Sequence, residues 1–196
     1  WVKIEILLFN FNFFPYFCCM IFSVTGPESS GKTTLCHSIH LTTNWLWIPE
    51  YSRNYLRRPP VSSIQEMILR IASAQSSLET LQCYKETCTL SDTDSYTFAI
   101  WWLDKVGNRL PPLLSAWLEK SKTTYQHVFL CYPDIPWEAD PLREDETRRT
   151  KLFQDYLDLL SAQSVPFTLL KGPHEERKAL AIEIIESISS PGSFPV

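Results

Sequence analysis

Short apolar runs alternate along the chain with longer segments in which apolar residues recur every three or four positions, from Ile21 almost to the C-terminus. A strand buried on both faces reads as uninterrupted hydrophobicity, so this alternation predicts parallel strands joined by covering helices, an α/β class domain. Strands are expected at Ile21 to Thr25, Trp45 to Ile48, Thr87 to Ser91, His127 to Cys131 and Phe167 to Leu170. Between the second and third, Ser63 and Glu66 have the spacing of a capping box. Ile64, Met67, Ile68, Ile71, Leu78 and Leu81 then share one face of a long helix. Shorter helices are expected near 95–106 and 113–120, punctuated by Pro111-Pro112, and two more at 145–161 and 175–188.

The 196 residues, 44% of them hydrophobic, suit one domain with a sizeable core. That domain is expected to span 20–190, with a frayed tail at 191–196. Residues 1–19 are aromatic-rich and apolar, but Asn10, Asn12 and Pro15 interrupt them and the only preceding positive charge is Lys3. They are expected to be an extension ahead of a domain that begins at Met20, the alternative being a membrane anchor or cleaved signal. A net charge of -4 lacks the basic excess of a phosphate-tracking nucleic-acid binder, so no nucleic-acid partner is expected. The six cysteines form no CxxC pair and have no histidine at metal-ligand spacing, so they read as reduced thiols of a cytoplasmic protein.

Glycine is scarce, 5 residues in all, yet Gly26 and Gly31 stand close together in Gly26-Pro27-Glu28-Ser29-Ser30-Gly31-Lys32-Thr33. This satisfies GxxxxGK[ST] between an apolar strand and a helix. Backbone N–H groups of such a loop converge at a helix N-terminus, where unsatisfied donors and the helix dipole favour a polyanion. The stretch Gly26, Pro27, Glu28, Ser29, Ser30, Gly31, Lys32, Thr33 and Thr34 is therefore expected to hold ATP, with Lys32 on the β and γ oxygens and Thr33 on Mg²⁺. The absence of NKxD argues against a GTPase, and the absence of LSGGQ against a transporter ATPase. A small-molecule kinase suits the length best, and a nucleotide-dependent switch acting through a protein partner is the alternative.

Ligands of open α/β sheets sit beyond the carboxyl ends of the strands. There the sequence places Glu50 and Arg53 after the second strand, Asp92 and Asp94 after the third, and Asp134 to Arg143 after the fourth. Asp92 is a candidate Mg²⁺ acid, and Asp92 and Asp94 as plain helix caps are the structural alternative. Either Glu50 or Asp94 can accept the proton of a substrate hydroxyl. Arg143 and Arg149 flank a charged, apolar-poor segment that suits a lid closing over the phosphates. His37 and His40 lie on the helix after the loop and read as structural.

The run VTGPESSGKTT, the PEYSRNY after the second strand, Ala74-Gln75, SDTD after the third strand and YPDIPWEADPLR after the fourth resemble the AAA-type ATPase/kinase domain of the NadR family, whose kinase activity phosphorylates nicotinamide riboside. The resemblance covers residues 20 to about 188. It implies a P-loop NTPase fold with a five-stranded parallel sheet and helices on both faces, the third strand lying beside the first so that Asp92 faces the loop. It also implies ATP with Mg²⁺, and a nucleoside pocket drawn from Glu50, Tyr51, Arg53, Tyr55, Asp94, Trp137 and Asp140, with Trp137 able to stack on a pyridinium ring.

Overall fold

The computed structural model describes residues 20–57, 63–82, 88–107, 109–138 and 146–190. The expectations for residues 1–19 and 191–196, for Asp140 and for Arg143 lie outside the described residues. Five strands, β1 (Ile21–Thr25), β2 (Leu46–Ile48), β3 (Thr89–Asp92), β4 (Tyr125–Cys131) and β5 (Phe167–Leu170), form one sheet in the order β2-β3-β1-β4-β5. Every pairing is parallel. The helices are α1 (Lys32–Thr43), α2 (Tyr51–Leu56), α3 (Ile64–Gln82), α4 (Ser95–Lys105), α5 (Pro112–Thr124), α6 (Arg149–Ala162) and α7 (His174–Ser189), with a 3₁₀ turn at Glu146–Arg148.

Alternate side chains of the central strands enter two separate cores, as a sheet covered on both faces requires. Phe22, Val24, Phe129 and Cys131 pack with Leu35, Ile39, Ala181 and Ile185 of α1 and α7. Ile21, Val128 and Leu130 pack with Tyr96, Ile100, Leu152 and Tyr156 of α4 and α6. A third cluster joins α3, α4 and α5 through Ile68, Ile71, Phe98, Leu114 and Trp117. Burying each such side chain contributes about 1.5–3 kcal/mol, so the sheet and both layers form one cooperative unit.

Several features differ from the periodic reading. β3 runs to Asp92, so the acid expected after the strand is its last residue, paired in register with Val24. α5 continues to Thr124 and enters β4 directly, which lengthens that strand to Tyr125–Cys131. The six-residue α2 was not anticipated, being too short to show a period. The buried face of α3 is also rotated from the apolar stripe: Gln75 and Glu79 are buried with Ile68, Ile71 and Ala72, whereas Leu81 is exposed. Apolar periodicity is blind to buried polar residues, and here each has partners. Gln75 accepts the amide of Tyr51 (2.9 Å), and Glu79 accepts the hydroxyls of Ser91 (2.7 Å) and Tyr125 (2.9 Å). The Ser63 cap forms as expected, its hydroxyl accepting the Glu66 amide at 3.4 Å. His37 packs on Trp47, and His40 Nδ1 donates to the Trp45 carbonyl at 2.7 Å, both structural.

Candidate active site

β1 ends at Thr25 and α1 begins at Lys32, leaving a loop whose backbone must curl tightly around the helix N-terminus. Gly26 has φ 136°, and a Cβ there would stand 2.7 Å from the Cys131 carbonyl oxygen, so only glycine lets the loop pass the end of β4. Gly31, φ 86°, caps α1 in the left-handed region. Inside the loop Ser30 Oγ donates to the Pro27 carbonyl (2.8 Å), and Lys32 Nζ donates to the carbonyls of Gly26 (2.8 Å) and Pro27 (2.9 Å). The lysine thus lies folded over the loop, its ammonium held where a polyanion would draw it.

Two arginines hold the loop from outside. Arg149 Nη2 donates to the carbonyls of Ser29 (3.0 Å), Pro133 (3.1 Å) and Ile135 (3.0 Å), and its guanidinium stands 5.7 Å from the centre of the Trp137 ring. Arg177, 4% exposed, donates to the carbonyls of Gly172 (2.8 Å), Ser30 (3.1 Å) and Tyr132 (3.2 Å) and pairs with Asp134. Arg177 was invisible to a reading of strand ends, because it enters from the first turn of α7.

The loop opens into a cleft of about 250 Å³ between α1, α2, α3 and α4. Of the residues predicted for the site, Gly26 to Thr34, Glu50 and Arg53 line it. Glu50 precedes α2 and its carboxylate accepts the Ser52 hydroxyl (2.5 Å) and Arg53 Nε (3.3 Å), so acid and cation are fixed as a pair beside the phosphate loop. Leu56, Met67, Ile68 and Trp101 give the cleft an apolar wall, with Asp104 and Lys105 also lining it. These were missed because they lie inside helices rather than at strand ends.

Asp92 is fully buried, and neither carboxylate oxygen makes a hydrogen bond within the structure. Burial, with Glu50 nearby, pushes its pKa up to about 6, while Lys32, the Thr33 hydroxyl and Arg53 favour the charged form. A buried, hydrogen-bond-free carboxylate beside the loop lysine and a helix-terminal threonine fits a Mg²⁺ site that completes its shell with water and phosphate oxygens. Among the described residues no cluster of three or more His, Cys, Asp or Glu forms an all-protein metal cage.

The geometry places five of the expected site residues away from the cleft lining. Asp94 is not a base facing substrate: it is fully buried and caps α4, accepting the Thr97 amide (2.9 Å) and the hydroxyls of Ser23, Thr25 (3.1 Å) and Thr97 (3.2 Å). Its lone pairs are taken, and the sequence could not show this because Ser23 and Thr25 reach it from another strand. Tyr51 and Tyr55 are absent from the cleft lining and pack against the α3–α5 core. Trp137 is outside the cleft lining, covered by Arg149 through the same cation–π attraction expected of a ligand. Arg149 in turn braces the loop by its carbonyls instead of standing in the cleft.

The AAA domain family matches residues 21–177. No curated protein sequence matches the chain. Among solved structures, a crystal structure of NadR protein in complex with NR superposes with a TM-score of 0.68 at 18% identity, covering 86% of this chain and 51% of that one. A deoxyadenosine kinase from M. mycoides superposes with a TM-score of 0.61 at 13% identity, covering 86% of this chain and 100% of that one. A thymidylate kinase from Candida albicans gives 0.60 at 11% identity, covering 87% and 92%. The fold is that of P-loop nucleoside and nucleotide kinases, and the chain spans about half the length of the NadR structures it matches.

Proposed function

This chain belongs to the AAA domain family, and from that premise we propose that it is an ATP-dependent small-molecule kinase acting on a nucleoside, with nicotinamide riboside the favoured acceptor and NAD synthesis the process it feeds. The observation that carries this reading is the cleft: the phosphate loop, the Glu50–Arg53 pair and an apolar wall meet in one space sized for a small second substrate. A switch needs the loop and a metal acid, but not a second set of groups facing a small molecule.

In this reading the loop amides and Lys32 hold the triphosphate, the lysine exchanging the carbonyls of Gly26 and Pro27 for β and γ oxygens. Asp92 and Thr33 are the residues that would hold Mg²⁺, which when bound neutralises charge on the phosphate oxygens. The acceptor 5′-hydroxyl oxygen bonds to the γ-phosphorus, the bond to the bridging oxygen of ADP breaks, and the hydroxyl proton passes to Glu50. Arg53, held by Glu50, adds positive charge next to the transferring group. The likeness to the NadR structure supports the riboside as acceptor; the apolar wall with Trp101 suits the flat base of any nucleoside. The buried thiols of Cys36 and Cys131, which form no disulfide among the described residues, support a reducing, cytoplasmic setting; among the described residues no helix is long and apolar enough to cross a membrane. Residues 20–190 are taken as the single catalytic unit.

The test is ADP release by the full chain with Mg²⁺ and ATP, with and without nicotinamide riboside and then a panel of nucleosides. Strong stimulation by one acceptor, with its 5′-phosphate recovered, is expected. Slow hydrolysis that no nucleoside changes refutes the kinase reading in favour of the switch.

A further inference from the structure

Thr93 lies between the metal acid and the buried helix cap, and it carries two unfavourable features at once. Its φ is 85°, in the left-handed region that a β-branched residue rarely adopts. The backbone is held there from both sides: the Thr93 amide donates to the Val24 carbonyl at 3.2 Å, and its own carbonyl accepts the Ser91 hydroxyl at 3.0 Å. Glycine would relieve the torsion without disturbing either bond. The second feature is the side chain. Thr93 is 0% exposed and its hydroxyl makes no hydrogen bond, yet the residue forms part of the cleft wall. Thr97, also on the wall, shows the contrast, because its hydroxyl contacts Asp94 and accepts from Tyr156 (3.2 Å).

A strained torsion and an unsatisfied buried hydroxyl both cost stability, and native structures retain them together where the group has a partner outside the protein. We propose that the Thr93 hydroxyl is a hydrogen-bonding contact for an oxygen of the bound reactants at the point of phosphoryl transfer. The residue shares the cleft with Lys32, Thr33 and Glu50, so this oxygen belongs either to the γ-phosphoryl group or to the attacking hydroxyl. The inference rests on the kinase reading above and adds to it a residue that reads the reacting centre. A threonine supplies there what a glycine cannot, a neutral donor and acceptor in one group.

Three variants of the full chain test it: Thr93→Val, which keeps the shape and removes the hydroxyl; Thr93→Ser, which keeps the hydroxyl; and Thr93→Gly, which removes both strain and hydroxyl. Calorimetry with a non-hydrolysable ATP analogue and Mg²⁺ comes first, then steady-state kinetics and ligand-free melting. The valine and glycine variants are expected to lose about 10- to 100-fold in kcat/KM, the worth of one hydrogen bond to a charged group, while serine stays within about threefold of wild type. Weakened binding of the ATP analogue assigns the oxygen to the γ-phosphoryl group; an unchanged analogue affinity with a raised acceptor KM or lowered kcat assigns it to the acceptor. Without ligand, Thr93→Val should melt at or above the wild-type temperature, since no internal partner is stranded. Wild-type activity in the valine or glycine variant overturns the inference alone, as does a ligand-free Tm loss beyond about 4 °C, which would reveal a partner inside the protein. Failure of the wild-type chain to bind the analogue at all overturns the inference and the kinase reading together.

Discussion

Glu79 offers the sharpest physical test of the fold beneath the site. Its carboxylate sits 3% exposed under β3, accepting the Ser91 hydroxyl and, through both oxygens, the Tyr125 hydroxyl. Burial lifts its pKa from the ordinary 4.5 to about 7; Asp94 pushes the same way, while the hydroxyls of Ser91 and Tyr125, with Lys120, restrain the rise. Between those two values the folded protein binds a proton that the unfolded chain has released. Stability from this group is therefore complete below the unfolded value and declines as pH rises through the folded one. At about 1.4 kcal/mol per pH decade, the loss amounts to about 3 kcal/mol by pH 7.5. Glu79→Gln removes the titration while its carbonyl still accepts the two hydroxyls. Urea unfolding of both proteins from pH 4.5 to 7.5, followed by tryptophan fluorescence, should show the variant gaining about 3 kcal/mol on wild type across that range, whatever their offset at low pH. A stability difference constant to within about 0.5 kcal/mol would refute the buried-acid argument.

Lys32→Ala removes the cation that the loop holds ready, and ADP release should fall by at least about 100-fold; retention of half the activity would mean the lysine does not engage the phosphates. Glu50→Gln should lower kcat far more than it changes KM, whereas Asp94→Asn should appear mainly in urea unfolding, as a loss on the order of 2 kcal/mol from a weakened cap and hydroxyl network. The opposite pattern would return the base to Asp94. Arg177→Met leaves the Ser30, Tyr132 and Gly172 carbonyls short of a donor, while the exposed Asp134 keeps the Gly172 amide, so unfolding should become easier by about 2 kcal/mol, and an unchanged midpoint would show the arginine is not a brace.

The parallel sheet was legible because strands buried on both faces leave continuous apolar runs, and Phe22, Val24, Phe129 and Leu130 are where that pattern placed them. The strand–loop–helix around Gly26 to Thr33 was legible because the signal is local, two glycines within six residues between an apolar run and a helix, and the position of Gly26 against Cys131 gives the steric reason for one of them. Polar residues whose partners lie far along the chain were not legible. Glu79 flanks the apolar stripe of α3, eight residues after Ile71, but a charged residue there gives no apolar signal, and its partners come from β3 and β4.

Local sequence was enough for the class of fold, for the glycine-bounded loop proposed to hold the phosphates and for the set of acids near the strand ends, since each depends on neighbours in the chain. Tertiary structure decided which of those acids is available. Asp92 and Asp94 are two residues apart in similar local sequence, yet one keeps two oxygens without hydrogen bonds beside the loop and the other spends its lone pairs on Ser23, Thr25 and Thr97. Chain order cannot distinguish them, because a carboxylate's chemistry is set by the donors that surround it, and those arrive from β1 only after the strands have paired.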